Sequence, residues 1–242
     1  MSQDLAAAPK SSGLTILWDV IVAPQSAFAA LRERPTWVWA FVVTSVLGMG
    51  GAILAIPAGQ HMMAAMFQQM AQTNPQIAQM TPEQQQRILG MQSTIQRFTF
   101  AYYPILVAVG ALVTALVMLV LNAISGGDGN FKRLFALAMN VAVLHWGIAY
   151  LLVGVIASLR GPDAFSSPRD LATSIPSLAW LVPGASAKLA VFLGSIGPFA
   201  IWSFILLALG MQQTARIKPT WAWIGALIIE FGGAAIGAAF IP

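Results

Sequence analysis

The stretch that decides the fold is residues 188–223, KLAVFLGSIGPFAIWSFILLALGMQQTARIKPTWAW. None of residues 189–215 is charged. A helix needs about 20 apolar residues to cross a ~30 Å hydrocarbon core, so this run predicts a membrane-spanning helix. A short turn with Arg216 and Lys218 follows, and a second apolar run begins at Trp221. Two spans joined by a tight basic turn form a unit that is repeated along the chain.

The composition excludes a water-soluble globular protein. Of 242 residues, 58% are hydrophobic and 8% are charged, whereas a soluble domain carries about 25% charged residues. The twelve Lys and Arg residues lie scattered at the ends of apolar runs. This distribution is typical of membrane orientation determinants and argues against nucleic-acid binding. The chain has no cysteine, which excludes disulfides, thiolate metal ligands and cysteine nucleophiles.

The apolar runs predict an all-α membrane protein with five transmembrane helices. The predicted spans cover residues 37–57, 102–124, 134–159, 189–210 and 221–241. Residues 1–13 are predicted to be a disordered tail, and residues 14–242 a single membrane domain. The lipid bilayer is therefore the first predicted partner.

Two short helices are predicted before the first span. Apolar residues recur at helical spacing from Leu14 to Ile21, and Pro24 begins a second helix that ends in basic residues. Because neither run is long enough to span, we expect both helices to lie in the headgroup region. A soluble flanking helix is the alternative. Three tryptophans are predicted to anchor span ends at the membrane interface: Trp37, Trp39 and Trp221.

Between spans 1 and 2 the sequence predicts a helical hairpin outside the membrane, whose second arm continues into span 2. Thr81 suits an N-cap, Pro82 the first helical position and Gln84 the reciprocal capping contact. Methionines 62, 66 and 70 repeat at i, i+4 and i+8, a spacing that predicts one face packing against the other arm. A Cu(I) site formed with His61 is the alternative, because thioethers bind soft ions.

The short loops predict the orientation. Basic residues are densest beside the segments predicted to be inside, namely Arg32, Arg34, Lys132, Arg133, Arg216 and Lys218. Arg87, Arg97, Arg160, Arg169 and Lys188 are spread over longer segments predicted to be outside. Since short loops decide topology, the N-terminus and the turns at 125–133 and 211–219 are predicted to be cytoplasmic, and the C-terminus outside. The turn SGGDGN (125–130) lacks the spacing of a phosphate-binding loop and is predicted to terminate a helix.

The sequence predicts no catalytic, cofactor-binding or metal-binding residues. It contains no HExxH motif and no Gly-rich nucleotide loop. Ser195 and His145 raise the alternative of an intramembrane hydrolase, but helical rise places them at depths that differ by several Å. Ser195, two residues before Gly197, is typical of a helix-packing serine.

One polar pair is predicted inside the membrane. Glu230 is the acidic residue of the predicted spans, ~14 Å from the inner edge, and His145 lies at ~15 Å by the same count. A carboxylate facing lipid there would cost about 3 kcal/mol, so Glu230 should face the bundle interior and be either protonated or paired with His145. A neutral Glu230 bonded to Asn140 or to a carbonyl is the alternative. Gly233 and Gly237 are predicted to allow close helix contact, within one chain or between chains.

Four segments together resemble the Yip family of membrane proteins, which are named for interacting with Ypt/Rab GTPases. They are Pro24-x-x-x-Phe28, Pro35-x-Trp37, GGxGxFKRLFALA (126–138) and FAIWSFILLALGM (199–211). The resemblance is to the bacterial branch and covers residues 14–240. It implies a five-span layout and a cytosolic N-terminus. Eukaryotic members bind prenylated GTPases, but the short N-terminus and the missing Asp-Leu-Tyr-Gly-Pro type motif argue against GTPase binding here.

The sequence therefore predicts a multi-pass protein of a bacterial inner membrane, which organises the membrane or binds a partner without catalysis. The partner would be another membrane protein or a second copy of the chain. The competing prediction is a small transporter or channel with Glu230 and His145 in its path.

Overall fold

The computed structural model describes residues 12–167, 170 and 173–239, and these residues form helices and connecting turns without any strand. The α-helices are α1 (Gly13–Val22), α2 (Pro24–Glu33), α3 (Val38–Leu54), α4 (Ile56–Thr73), α5 (Pro75–Ala78), α6 (Pro82–Ser125), α7 (Phe131–Ala142), α8 (Tyr150–Arg160), α9 (Ala187–Gly194), α10 (Pro198–Ala215) and α11 (Pro219–Ala239). A π-helical turn (Val143–Ala149) joins α7 to α8, and 3-10 turns occupy Pro162–Ala164 and Leu178–Leu181. The prediction of an all-α membrane protein is confirmed.

Four helical segments in the described residues are long and apolar enough to cross a membrane. They are Phe100–Ser125 within α6, Phe131–Arg160 from α7 to α8, Pro198–Ala215 and Pro219–Ala239. A fifth candidate is α3, which meets the same length criterion together with α4, across a 52° bend. At 1.5 Å per residue, α3 alone extends ~26 Å, close to the thickness of the hydrocarbon core. The four-to-five candidate spans agree with the predicted layout.

The end of the bundle that carries the turns after α6 and α10 is called the turn side, and the opposite end, which carries α4 and the start of α6, the hairpin side. The bundle core on the turn side is densely packed. Its fully buried residues come from α6, α7 and α10, and they include Met118, Leu134, Leu137, Leu206 and Met211. Leu137 lies directly over Gly210, where any side chain would overlap it.

The two N-terminal helices pack onto this turn-side core. Residues Ala27, Phe28 and Leu31 of α2 are buried, and α2 lies against α7 and α10. On α1, Leu14 and Trp18 stay exposed on the opposite face. An exposed apolar stripe at the end of a membrane bundle fits the predicted interfacial position. Of the predicted disordered tail, residues 1–11 lie outside the described residues, and Ser12 already caps α1 through Thr15 N.

On the hairpin side, α3 and α8 approach each other closely. Gly51 and Gly154 lie at the crossing, and a Cβ atom on either would overlap backbone atoms of the facing helix. Helices approach this closely in membranes where small residues meet, because packing and not the hydrophobic effect drives their association.

The predicted helical hairpin is formed by α4, the short α5 and the first part of α6. The capping box at its second arm is confirmed, since Thr81 and Gln84 exchange both contacts. The methionine stripe was predicted incorrectly for Met70, which is 42% exposed. Phe67 is buried instead, and Met63 lines the space between the arms, so the packed face lies beside the predicted one.

The fourth span is broken, which the sequence prediction of one helix over 189–210 missed. The α9 helix ends at Gly194 and α10 starts at Pro198. Proline lacks the amide hydrogen that a continuous helix needs, and Gly197 before it favours an extended backbone. The span therefore begins at Pro198 and runs to Ala215.

Candidate functional site

Glu230 and His145 face each other inside the bundle. Glu230 Oε1 of α11 lies 3.4 Å from His145 Nδ1 of the π turn, and the Glu230 side chain is 10% exposed. This distance is within the range of an ion pair, which would require a protonated His145, and it is slightly longer than a good hydrogen bond. A lone charge at this depth would cost about 3 kcal/mol, and a partner within contact distance reduces that cost.

His145 lies in a π-helical turn, which widens the helix and changes the direction of its side chains. Single π turns inside α-helices occur frequently at functional sites. The turn is bonded to a neighbouring helix: the hydroxyl of Tyr103 on α6 donates a hydrogen bond to the carbonyl of Trp146. The Tyr103 ring also lies against that of Tyr150, with centroids 5.1 Å apart. Nothing in the apolar run from 134 to 159 predicted this distortion.

A cavity of about 250 Å³ lies on the turn side of His145. Its walls come from α6, α7 with the π turn, α10 and α11. Besides Glu230 and His145, the hydroxyl residues Thr114 and Ser203 line it. Ser203 is 1% exposed, and its hydroxyl has no hydrogen-bond partner among the described residues. The cavity thus combines a carboxyl, an imidazole and two hydroxyls on an apolar wall.

These polar residues form one layer. Thr114 and Glu230 each lie ~16 Å from the turn-side end of their helices, and Ser203 ~18 Å from the end of α10. The layer is therefore near the middle of the hydrocarbon core. Thr114 and Ser203 were not among the predicted site residues, although this count of helical depth aligns both with Glu230.

A second cavity, of about 160 Å³, lies on the hairpin side of His145. It is lined by residues of the break between α9 and α10, including Ser195 and Gly197, and by Ile175 and Pro176 of the preceding loop. His145 contacts both cavities, and its side chain is 48% exposed. Below the larger cavity, by contrast, Met118 and Met211 are completely buried.

A second polar cluster ties the helices together on the turn side. Asp128 accepts a 2.5 Å hydrogen bond from Arg32 and lies 3.6 Å from Arg216, while Arg32 also donates to the carbonyl of Gln213. The hydrogen bond from Arg32 lowers the pKa of Asp128 below its usual value, and the charges of Arg216 and Arg133 act in the same direction. This turn cluster connects α2 to both short turns.

The turn around Asp128 ends α6 as predicted. Gly126 adopts the left-handed conformation, φ +70°, that commonly follows a helix. The side chain of Asn122 then bonds both the amide and the carbonyl of Gly129, and Asn130 caps α7. These hydrogen bonds stay within the turn and the helices it connects, as is typical of a connecting turn.

Other predicted site residues lie elsewhere. A side chain at Gly233 or Gly237 would meet no atom within 4 Å, so the predicted close helix contact inside the chain is not present, and Gly233 lines the cavity instead. Trp39 and Trp221 are exposed, as interface anchors would be. Trp37 instead packs edge-on against Phe135, with ring centroids 5.4 Å apart.

The contacts do not support two alternatives from the sequence, a bond between Glu230 and Asn140 and a hydrolase formed by Ser195 and His145. Asn140 donates to the carbonyls of Thr36 and Ala136, not to Glu230. The hydroxyl of Ser195 donates to the carbonyl of Phe192 at 2.7 Å. His145 therefore has no serine proton to accept there, although both residues border the smaller cavity.

His61 is also occupied by neighbours other than methionine. Its Nδ1 lies 3.0 Å from the carbonyl oxygen of Phe165 and its Nε2 3.5 Å from Asp163. These contacts connect α4 to the loop after α8. In the described part of the chain, no three His, Cys, Asp or Glu side chains come together as metal ligands would.

Comparison with known proteins also indicates a membrane protein. The Yip1 domain model matches residues 18–241. A relative, "Membrane protein YknW" of Bacillus subtilis (strain 168), is 27% identical over 215 residues, which cover 88% of this chain and 84% of the relative. No solved structure matches the chain.

Proposed function

This chain belongs to the Yip1 domain family as a multi-pass membrane protein, and we propose that it binds another membrane protein without catalysing a reaction. The location we propose is a bacterial inner membrane, since the Bacillus relative is named a membrane protein. The observation that carries the proposal is the helical hairpin beyond the bundle. The 44 residues of α6 extend ~66 Å, far more than a span requires.

One exposed stripe of this hairpin is apolar where a water-facing helix would be polar. Met91, Ile95 and Phe98 follow one another at i, i+4 and i+7, and they are 60%, 60% and 58% exposed. They precede the apolar segment that begins at Phe100. Apolar residues grouped on an exposed surface outside the membrane are typical of protein contact sites.

Site-specific crosslinking in living cells tests the proposal. A photoreactive amino acid at Met91 or Phe98 should form a discrete adduct with a second membrane protein, identified by mass spectrometry. The same group at Leu159, which is 81% exposed at the end of α8, serves as control for contact with lipid. The absence of protein adducts at Met91 and Phe98, with adducts formed at Leu159, would contradict partner binding through the hairpin. Adducts of twice the chain mass would identify a second copy of the chain as the partner.

We propose that the turn side faces the cytoplasm. The turn cluster supports this, because Arg32, Asp128 and Arg216 bring three basic segments to one end of the bundle. Reporter fusions at Asp128 and Gln213 should report the cytoplasm, and fusions at Thr73 and after Pro242 the outside. A cytoplasmic report from Thr73 would reverse the orientation.

A transporter or channel is the second candidate function, and the polar cavity beside Glu230 favours it. Purified protein in liposomes should then show solute flux that Glu230→Gln abolishes. Flux equal to that of empty liposomes, for a panel of cations and amines, would leave partner binding as the function.

A further inference from the structure

We propose that Glu230, His145, Ser203 and Thr114 form an intramembrane binding site for a small primary ammonium cation, which reaches it from the hairpin side. This inference does not depend on the proposed function. It rests on a cavity that four helices build around polar groups otherwise rare in the middle of a membrane.

The charge of the cavity selects a cation. In the proposed site Glu230 is ionised and His145 is neutral, so the lining carries one negative charge, and no Lys or Arg lines the cavity. An anion would face this carboxylate in a medium of low dielectric constant, where repulsion is strong. A cation bound there would form a pair with Glu230, and the pair as a whole would carry no net charge into the membrane core.

The hydrogen-bonding groups select a primary ammonium over a metal ion. A primary ammonium group has three N–H donors, and the cavity offers the carboxylate of Glu230, a ring nitrogen of His145 and the hydroxyl oxygens of Ser203 and Thr114. The Ser203 hydroxyl is available, because no described residue bonds it. Hard metal ions require about six oxygen ligands, more than these side chains supply.

The size of the cavity fits an organic cation. Its volume is about 250 Å³, whereas a water molecule occupies about 30 Å³ in the liquid. The apolar part of the wall, which includes Val107 and Leu207, would contact one or two methylene groups. A bare inorganic ion would leave most of this wall without contacts.

The proposed access route is from the hairpin side. The smaller cavity shares His145 with the larger one in its lining and extends to Ile175 and Pro176 in the loop on the hairpin side. The break at Ser195–Gly197 removes helix from this route. On the turn side, Met118 and Met211 have no exposed surface. We therefore propose that the cation enters past His145 from the hairpin side, where the helices are interrupted.

Binding is tested on the full-length protein in lipid nanodiscs by isothermal titration calorimetry with ethylammonium chloride. Sodium chloride at equal ionic strength and tetraethylammonium, which has no N–H donor, are the controls. We expect saturable binding of ethylammonium alone, weakened at least tenfold by Glu230→Gln and roughly fivefold by Ser203→Ala, as the loss of one hydrogen bond predicts. Glu83→Gln removes a carboxylate from the hairpin helix and should leave binding unchanged.

Equal heats for ethylammonium and sodium, or equal ethylammonium affinity in wild type and Glu230→Gln, would overturn the proposal. Each variant is compared by size-exclusion profile and thermal midpoint, so that loss of folding is recognised. If Glu230→Gln does not fold, Ser203→Ala decides alone, and an unchanged affinity in that variant overturns the proposal.

The route is tested by thiol labelling, for which the absence of native cysteine is an advantage. In oriented membrane vesicles, Ser203→Cys should react with a cationic methanethiosulfonate added on the hairpin side, and at least tenfold more slowly with an anionic one. Ethylammonium should protect it, and Glu230→Gln should remove the charge preference. Reaction from the turn side, or equal rates with both reagents, would contradict the proposed site.

Discussion

The two ends of the bundle differ in how they use their residues. On the turn side, large apolar side chains such as Leu134, Leu206 and Met211 fill the core completely, and Asp128 with its arginines fastens the loops. Towards the hairpin side, the helices are interrupted by the π turn and by the break before Pro198. Two cavities lie beside His145, the larger near the middle of the bundle and the smaller nearer the hairpin side. One end has the features of a rigid support, and the other has the room and the polar groups that binding requires.

The difference between the two ends of the bundle has a physical cause. Regular helices satisfy their own backbone groups, so they can be packed tightly by apolar side chains alone. Interrupted helices can leave backbone groups that need other partners, and the carbonyl of Trp146 accepts a hydrogen bond from Tyr103. Such interruptions are tolerated in a membrane where they are buried in protein or line a cavity.

The largest expected effect is at the turn-side core. Leu137→Ala removes a fully buried side chain that packs over Gly210, and it should destabilise the protein by about 2–5 kcal/mol. The thermal midpoint in detergent, followed by tryptophan fluorescence, measures it. Leu159→Ala is the matched control, because Leu159 is 81% exposed and should change the midpoint little. Similar losses for the two variants would show that the turn side is no more tightly packed than the periphery.

The hairpin side contains one tight contact, and Gly51→Ala tests it. The added Cβ would overlap the carbonyl oxygen of Tyr150, so α3 and α8 must separate. We expect a loss of about 1–3 kcal/mol in unfolding free energy. The neighbouring Gly50→Ala places its Cβ 3.5 Å from Leu151, an ordinary contact, and should be tolerated. Equal behaviour of both variants would contradict the close approach.

The sequence predicted those parts of the fold that depend on composition and local pattern. The 27-residue uncharged run, the capping box at Thr81 and the turn at residues 125–130 each have a local cause. The structure contains the capping box and the turn as predicted, and the uncharged run contains a span, although one that begins at Pro198 and not at residue 189. The positions of Glu230 and His145 followed from helical rise alone. Helical rise also could have aligned Thr114 and Ser203 with them.

What the sequence could not predict depends on contacts between distant segments. The π turn is bonded by Tyr103, which lies 43 residues away from Trp146 in the chain. The glycines that pack are Gly51 and Gly154, not the GxxxG pair at Gly233 and Gly237, because a motif for close approach does not specify the facing helix. Trp37 likewise packs inward since Phe135 lies opposite it.

A smaller effect is expected from Tyr103→Phe, which removes the hydroxyl bonded to the carbonyl of Trp146. The unfolding free energy should fall by about 1 kcal/mol, the typical value of such a bond, and hydrogen exchange should increase in the π turn. Tyr102→Phe is the matched control, because Tyr102 is exposed on the same helix. Unchanged exchange in Tyr103→Phe would mean that the turn is stable without this bond, and that the hairpin side needs less support than we infer.

The smallest effect is expected at Asp128, on the surface of the turn side. Its side chain is 42% exposed, and pairs at such sites contribute about 0.2–1 kcal/mol. Asp128→Asn should therefore lower the unfolding free energy by no more than that. The measurement is the difference in thermal midpoint between wild type and Asp128→Asn at several pH values.

The pH dependence identifies the cause of this difference. Because Arg32 lowers the pKa of Asp128 in the folded protein, the stabilisation is complete above the pKa of the unfolded carboxyl, near 3.9. It is lost as the pH falls through the folded value. The wild-type advantage should thus be constant from pH 7 to about 5, shrink below about 4, and shrink also in high salt. An advantage at pH 3 as large as that at pH 7 would show that the charge of Asp128 is not its cause, and that the ion pairs with Arg32 and Arg216 do not stabilise the turn side.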